Sequence, residues 1–219
     1  MNTDLPPPLD GNALVYCEGA YRTANGKTAH GLVRFTRRYR VVAVVDSLCS
    51  GRDAGYLLDG KDRGIPVVRD ISAGLHLARE KGLKIDRFVV GLAPDGGKAD
   101  DGLMAAVKEA LKAGLSVDNG LHTHFSRIPE MKRMADEAGL VIRDIRRSPD
   151  ASESHAFSGE ITRVGSWRVA MLGTDSAIGK RTSAWMFVWA LEAAGFSSEL
   201  IGTGQTAWLQ GARYGVLMD

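Results

Sequence analysis

The chain has 219 residues, of which 44% are hydrophobic and 25% are charged, and its formal net charge is +2. These values indicate one or two globular domains with a sizeable core, and they give no reason to expect a nucleic-acid partner. The two cysteines, Cys17 and Cys49, have neither a CxxC spacing nor a metal-ligand spacing, which is typical of buried thiols in a cytosolic protein.

Neither terminal nor internal segments indicate export or membrane insertion. Residues 1–11 are acidic and proline-rich, whereas a signal peptide is basic and then apolar. No apolar run approaches the length of a membrane span. We therefore expect a cytoplasmic protein without a membrane partner. The arginine clusters within 37–40 and 143–147 are interpreted as solvated edges.

Short β-branched runs alternate with longer amphipathic runs over the first 147 residues. Strands are predicted over residues 13–17, 41–45, 65–68, 87–92, 115–117 and 140–145. Helices are predicted over residues 28–38, 53–58, 72–81, 102–113 and 129–138. This alternation predicts an α/β fold with a parallel sheet and right-handed crossovers.

The periodicity changes after residue 147. We predict a first domain over 1–147, a linker over 148–165 and a second α/β domain over 166–219. In the second domain a strand at 167–172, a helix at 180–194 and a strand from 199 are predicted. Only about fifty residues follow the first of these strands, fewer than a domain usually has. We expect the second domain to be present in its N-terminal part only, or to complete its sheet against the first domain or a partner subunit.

The turn between strand 167–172 and helix 180–194 has the features of a phosphate-binding P-loop. Small residues let backbone N–H groups converge on an anion, the helix start adds partial positive charge, and a lysine reaches the terminal phosphates. The predicted phosphate-ligand contacts are Gly173, Thr174, Asp175, Ser176, Ala177, Ile178, Gly179, Lys180, Arg181 and Thr182.

Two departures from the usual P-loop motif bear on the ligand. Five residues rather than four separate Gly173 from Gly179, and Arg181 stands where Ser or Thr normally holds magnesium, with Thr182 one position later. Magnesium ligation is therefore open, and the charge of Arg181 is consistent with a metal-independent phosphate site.

Ligands in parallel α/β folds bind beyond the carboxyl ends of the strands, so the loops there hold the other candidates. Asp46 could accept hydrogen bonds from a ribose or a substrate amine, or could cap the next segment. The segment 94–98 could cradle an anion or form a tight turn. His122 is a candidate general base, while His122 with His124 could form a metal pair or be ordinary loop histidines.

The segment after strand 199–201 should lie beside the phosphate site. Gln205 and Thr206 can donate and accept hydrogen bonds there, or can cap a helix. The aromatic residues of the P-loop helix, Trp185, Phe187 and Trp189, are interpreted as core packing rather than as base-stacking groups.

The opening Gly-Thr-Asp-x-x-x-Gly-Lys at 173–180 resembles the P-loop of dethiobiotin synthetase. A wider resemblance rests on motifs at 44–47, 51–55, 64–66, 91–97, 119–122, 173–182 and 203–206. The chain is similar there to a two-domain family that joins a Rossmann-like N-terminal domain to a C-terminal P-loop domain and includes D-glutamate N-acetyltransferase. Members are typically longer than this chain.

The resemblance implies a transferase that uses acetyl-CoA and an amino-acid substrate. In this hypothesis the P-loop binds the phosphates of coenzyme A, and His122 or Asp46 accepts the proton of the attacking amine. A homo-oligomer is expected. The alternatives are an ATP-dependent kinase or ligase that uses magnesium, as the dethiobiotin-synthetase-like loop suggests, and a non-catalytic nucleotide-binding module.

Overall fold

A computed structural model describes residues 10–147, 156–175 and 178–216. The strands of the first unit are β1 Asn12–Tyr16, β2 Arg40–Val45, β3 Val67–Val68, β4 Arg87–Val90, β5 Ser116–Asn119 and β6 Ile142–Asp144. Its helices are α1 Lys27–Arg34, α2 Ala54–Asp59, α3 Ile71–Glu80, α4 Asp101–Lys112 and α5 Pro129–Glu137. The predicted alternation of strand and helix is confirmed, with boundaries that differ by a few residues.

The six strands of the first unit form one sheet in the order β3-β2-β1-β4-β5-β6, and every pair is parallel. The chain order reverses between β1 and β4, so this is a doubly wound sheet with a switch point at its centre. All carboxyl ends face the same edge, which brings the loops after β2, β4, β5 and β6 to one side of the molecule.

Helices cover both faces of the sheet, as the uninterrupted apolar run of β2 predicts. One core lies around Leu14, Phe88 and Leu103, and the other around Val15, Leu32 and Val44, all of which are buried. Consecutive residues of β1, Leu14 and Val15, therefore point into opposite cores, as the two-residue period of a strand requires.

The second unit contains α6 Lys180–Ala193, β7 Ile201–Gly202, α7 Gln205–Leu209 and β8 Tyr214–Gly215, with β7 and β8 paired in parallel. The strand predicted over 167–172 is wrong, because these residues are irregular in the structure. Trp167 is 96% exposed and Leu172 87% exposed. Within the described residues β7 and β8 pair only with each other, so residues 167–172 have no partner strand.

Helix α7 packs against the first unit. Leu209 is buried in the core that contains Val15, and the side-chain amide of Gln210 donates to the carbonyls of Gly31 and Phe35 at 2.9 and 3.1 Å. The ring of Phe35 also meets the rings of Trp185 and Trp189 of α6 edge to face. These contacts confirm a packing role for both tryptophans.

The structure corrects three interpretations made from the sequence, those of Phe187, Arg38 and Arg143. Phe187 is 40% exposed and lies outside this aromatic cluster. Arg38 and Arg143, interpreted from the sequence as solvated edges, instead share the carboxylate of Asp10 in a largely buried ion-pair network. Arg143 also forms two hydrogen bonds with the fully buried Asp118, because a charge at the sheet interior needs a partner of opposite sign.

Candidate functional site at the junction of the two units

Glycines stand at both ends of the P-loop turn. A Cβ atom on Gly173 would lie 2.4 Å from Cδ1 of Ile178, so a larger residue there would require the exposed side chain of Ile178 to move. Gly179 has φ of +96° and stands immediately before α6, a conformation that L residues rarely adopt. The side chain of Lys180 folds back and donates to the carbonyl of Asp175. Ser176 and Ala177 lie outside the described residues.

The first turn of α6 offers backbone donors to a ligand. No side chain within the described range caps this helix, and Thr174, Ile178 and Thr182 are exposed around its start. The first N–H groups of an α-helix have no intrahelical acceptor, and together with the helix dipole they favour an anion. The residues present therefore fit a phosphate group at this position.

The side chain of Arg181 does not point to that phosphate position. A Cβ atom built on Gly31 would lie 3.2 Å from Nη2 of Arg181, which puts the guanidinium against α1. Burial, together with the charge of Arg34, lowers the pKa of Arg181 below its ordinary value, and its Nε atom has no hydrogen-bond partner within the described structure. The expectation that its charge occupies the magnesium position is corrected, because its side chain packs between the units.

Arg146 connects the first unit to the second. From the loop after β6, it donates from Nε to the carbonyl of Gly120 at 3.0 Å and from Nη2 to Oε1 of Gln205 at 3.0 Å. Its Nη1 lies 3.1 Å from Nε2 of His122. Two of the residues predicted from the sequence, His122 and Gln205, are therefore joined by an arginine that we had interpreted as solvated edge. Its position directly after a strand was the signal available in the sequence.

The contact with Arg146 defines the hydrogen-bonding state of His122. A guanidinium has only donors, so Nε2 of His122 is the acceptor in this contact. A base needs an available lone pair. In this arrangement Nε2 can serve as a base only after Nη1 of Arg146 moves away from it.

A buried polar network holds the loop that carries His122. The Asp144 carboxylate accepts from the side-chain amide of Asn119 at 2.7 Å and from the N–H groups of Phe125 and Ser126 at 3.1 and 2.8 Å. Oδ1 of Asn119 accepts from the N–H of Leu121 at 3.0 Å. Asn119 of β5 and Asp144 of β6 thus hold the backbone of the loop that carries His122.

Two glycines permit the close approach of the site residues. A Cβ atom on Gly97 would lie 2.4 Å from Cδ2 of His122, and one on Gly120 would lie 2.8 Å from Cγ of Gln205. Gly97 and Gly96 have φ of +61° and +72°, so the segment 94–98 forms the tight turn that was one of its two interpretations. Its anion-binding alternative stays a prediction.

A cavity of about 280 Å³ adjoins this cluster. It is lined by Arg143, Ile145, Gly202, Gly204, Trp208 and Tyr214, together with Gly215. Two of the lining residues, Ile145 and Gly204, directly precede Arg146 and Gln205 in the sequence. Pockets that bind small molecules commonly lie at such domain interfaces.

Asp46 does not join this cluster. It is buried, its Oδ2 accepts from the N–H of Tyr21 at 2.9 Å, and its Oδ1 accepts from the N–H of Leu48 at 2.9 Å. It follows β2, three strands from β5, a separation of ~14 Å at the usual strand spacing. Asp46 thus caps the local backbone, which confirms its capping interpretation. Its catalytic interpretation stays a prediction.

In residues 10–147, 156–175 and 178–216, no group of three or more His, Cys, Asp or Glu side chains is arranged to hold a metal ion. Over the same residues, no helix combines the length and apolar character needed to cross a bilayer.

Both halves of the sequence match models of one protein family. Residues 47–148 match a Rossmann-like N-terminal domain of unknown function, DUF1611_N, and residues 155–219 match the P-loop domain of the same family, DUF1611_C. The chain belongs to the DUF1611 family. The resemblance inferred from the motifs, the α/β class and the pairing of a Rossmann-like with a P-loop domain are thereby confirmed.

Two curated relatives of the chain carry an enzymatic name. The chain is 29% identical over 122 residues to a D-glutamate N-acetyltransferase of Tritonibacter scottomollicae, a match that covers 56% of this chain and 35% of the relative. It is 26% identical over 118 residues to a protein of the same name from a Pseudoalteromonas species, covering 54% and 34%. The matched region thus spans about a third of the length of these relatives.

The fold of DUF1611 proteins is also known from a crystal structure. A DUF1611 family protein from Anabaena variabilis ATCC 29413 superposes with a TM-score of 0.80 at 32% identity, covering 94% of this chain and 56% of that protein. The similarity extends over both units of the chain.

Proposed function

We propose that this protein transfers an acetyl group from acetyl-CoA to the amine of an amino acid such as D-glutamate. One structural observation supports the proposal. Gln205 and Thr206, adjacent at the start of α7, face two different partners: Gln205 contacts Arg146, and Thr206 lies with Arg181 of α6 against Gly31. A substrate at the His122 cluster would therefore lie against the unit that carries the P-loop.

The P-loop would hold the anionic part of the cofactor. The free N–H groups at the start of α6 and the ammonium of Lys180 suit the phosphates of coenzyme A. When bound, the cofactor would supply an acetyl thioester. Phosphate binding of this kind needs positive charge and backbone donors, and it does not need a metal ligand.

The first unit would supply the base. An amino-acid amine is protonated near neutral pH and must lose a proton before its nitrogen can attack the thioester carbon. Nε2 of His122 would take that proton and leave the free amine. As the amine attacks, the C–N bond forms and the C–S bond breaks, and the second proton of the nitrogen passes to the leaving thiolate. The loop that carries His122 is held by Asn119 and Asp144, which would keep the ring oriented.

An ATP-dependent kinase or ligase is the second candidate, and one observation favours it. The Arg181 guanidinium packs against α1, so it leaves room for magnesium beside the loop. Thr182 is exposed at the first turn of α6 and could contribute its hydroxyl.

Calorimetric titration of the full-length protein with acetyl-CoA and with ATP, each with and without magnesium, separates the two candidates. The proposal expects acetyl-CoA to bind without magnesium and D-glutamate to be acetylated. Tight magnesium-dependent binding of ATP, with no binding of acetyl-CoA, would exclude it. L-glutamate should be run beside D-glutamate, because the name of the relatives specifies the D isomer.

A further inference from the structure

We propose that Arg181, together with Arg34 of α1, binds a second phosphate group of the cofactor, apart from the phosphate at the P-loop. In coenzyme A this group is the 3′-phosphate of the ribose. The proposal rests on the proposed acetyl donor. It goes beyond it by assigning the residues that would distinguish coenzyme A from a nucleotide whose phosphates form a single run.

The charge of Arg181 has no counter-ion among the described residues. Burial and the like charge of Arg34 both lower the pKa of Arg181, and no described carboxylate offsets them. The arginines of the ion-pair network differ, since Arg38 and Arg143 both bind the carboxylate of Asp10. A largely buried cation without a partner is costly. An arginine in this state therefore indicates a ligand that supplies the negative charge.

Two further side chains at the junction of α1, α6 and α7 carry an unpartnered polar atom. Trp185 and Gln210 are 3% and 5% exposed. Within the described structure, Nε1 of Trp185 and Oε1 of Gln210 are shielded from solvent and have no hydrogen-bond partner, like Nε of Arg181. Arg181 and Trp185 stand one turn apart on the same face of α6, and a Cβ atom on Gly31 would meet both Arg181 and Gln210.

The junction thus leaves two donors and one acceptor unused, a pattern that a ribose phosphate can satisfy. The indole of Trp185 and the guanidinium of Arg181 only donate, whereas Oε1 of Gln210 only accepts. The phosphate oxygens accept from the two donors, and the neighbouring ribose hydroxyl donates to the acceptor. A bare anion would leave Gln210 without a partner.

A ligand can approach Arg181 from solvent. The residue is only partly buried, and the side chain of Arg34 is 49% exposed. Nε of Arg34 lies 4.0 Å from the carboxylate of Asp59, which makes a weak surface ion pair. Arg34 can therefore turn to a phosphate. An oxyanion between the two guanidinium groups would also remove their mutual repulsion.

The place of Arg181 beside the P-loop suits the chemistry of coenzyme A. Arg181 directly follows Lys180 in the first turn of α6. Its backbone N–H belongs to the donors that face the P-loop anion, whereas its side chain lies against Gly31. Backbone and side chain of one residue thus serve two anion positions. Coenzyme A carries a diphosphate and a separate 3′-phosphate, so we assign the diphosphate to the P-loop and the 3′-phosphate to Arg181.

The test compares acetyl-CoA with acetyl-dephospho-CoA, which lacks only the 3′-phosphate. Both are titrated calorimetrically into the full-length protein, without an acceptor. The variants are Arg181→Met, Arg181→Lys, Arg34→Gln and, as the matched control, Arg79→Gln. Met keeps an apolar stem at position 181 and removes the charge. Arg79 is an exposed arginine in the last turn of α3.

The wild type should bind acetyl-CoA roughly 10- to 100-fold more tightly than acetyl-dephospho-CoA, the range expected for a charge-assisted hydrogen bond. This ratio should fall to near one in Arg181→Met, take intermediate values in Arg181→Lys and Arg34→Gln, and keep the wild-type value in Arg79→Gln. A wild-type ratio of one would overturn the proposal. An equal loss of affinity for both ligands in Arg181→Met would also overturn it, since a purely structural arginine gives that result.

The free protein gives a second readout that involves no cofactor. Urea unfolding of Arg181→Met should have its midpoint at or above that of the wild type, because a buried charge without a partner has been removed. A lower midpoint would show that groups of the protein already compensate the charge, and it would overturn the proposal.

Failure of this proposal can be told apart from failure of the proposed transfer. Binding of acetyl-CoA with a ratio that depends on Arg181, without acetylation of D-glutamate, would support the second phosphate site and contradict acetyl transfer only. Acetylation with an unchanged ratio in Arg181→Met would do the reverse. Absence of acetyl-CoA binding would overturn both.

Discussion

The guanidinium carbon of Arg38 lies 3.6 Å from the ring centroid of Trp208. Arg38 belongs to the first unit, just before β2, and Trp208 belongs to α7 of the second. The carbonyl of Trp208 also accepts a hydrogen bond from Nε of Arg38 at 2.6 Å. This pair fixes the position of α7, which begins at Gln205, relative to the first unit.

Replacing Trp208 should weaken the packing of α7 on the first unit. We expect Trp208→Ala to lower the free energy of unfolding by about 2–4 kcal/mol, because a large, partly buried ring and its cation–π contact are lost. Trp208→Phe keeps an aromatic face over Arg38 and should lower it by less than half as much. Chemical denaturation measures both. Equal losses in the two variants would contradict a role for the aromatic face.

Lys180 should be essential for the phosphate ligand and dispensable for folding. Its side chain contacts only the loop carbonyl of Asp175 among the contacts described, so Lys180→Ala should leave the unfolding free energy within about 0.5 kcal/mol of the wild type. Affinity for the phosphate ligand should fall roughly 10- to 100-fold, since a charge-assisted bond is lost. Lys81→Ala, at an exposed position after α3, is the control in the same calorimetric titration. Unchanged affinity in Lys180→Ala would refute the assignment of the loop.

A substitution at Gly120 tests the contact between Arg146 of the first unit and Gln205 of the second. A methyl group there would meet Cγ of Gln205 at 2.8 Å, so Gly120→Ala should displace Gln205 from Arg146. We expect roughly a 10- to 100-fold loss of kcat/KM, the order that small misplacements at a site produce. Gly102→Ala is the matched control, because its Cβ would have 3.5 Å to the nearest atom in the first turn of α4. It should be neutral or stabilising by up to about 1 kcal/mol.

The ion pairs of Asp10 should make stability depend on pH in the acid range. Burial raises the pKa of Asp10, but the hydrogen bonds and charges of Arg143 and Arg38 outweigh burial and lower it below the ordinary value of 3.8. The folded state thus binds the proton less readily than the unfolded state, so the stabilisation is present above that value and is lost as the pH falls through the lowered pKa.

Asp10→Asn removes this dependence. At pH 7 we expect the variant to be less stable by about 1–2 kcal/mol, the range for a hydrogen-bonded charge in a partly exposed site. The difference in unfolding free energy from the wild type should shrink as the pH falls below 3.8, the ordinary pKa of the carboxyl. Urea denaturation over a pH series measures it. A difference that stays constant down to the most acid pH would contradict the ion-pair explanation.

Much of the architecture was determined by local sequence features. The run of small and β-branched residues in β2 demands burial on both faces, and the caps Asp70 and Asp100 start α3 and α4 where the periodicity predicts. Gly179 before Lys180 likewise marks the start of α6. These signals act within a few residues of chain, so they can be read without the fold.

The tertiary structure alone decided which polar side chains meet. Asp46 and His122 look equivalent in the sequence, since each follows a buried strand, yet the strand order separates them and gives Asp46 to the backbone of Tyr21 and Leu48. Arg146 and Gln205 lie 59 positions apart and become partners because α7 packs on the sheet. Hydrogen bonds across such distances depend on how the elements pack against one another, which no local pattern of residues specifies.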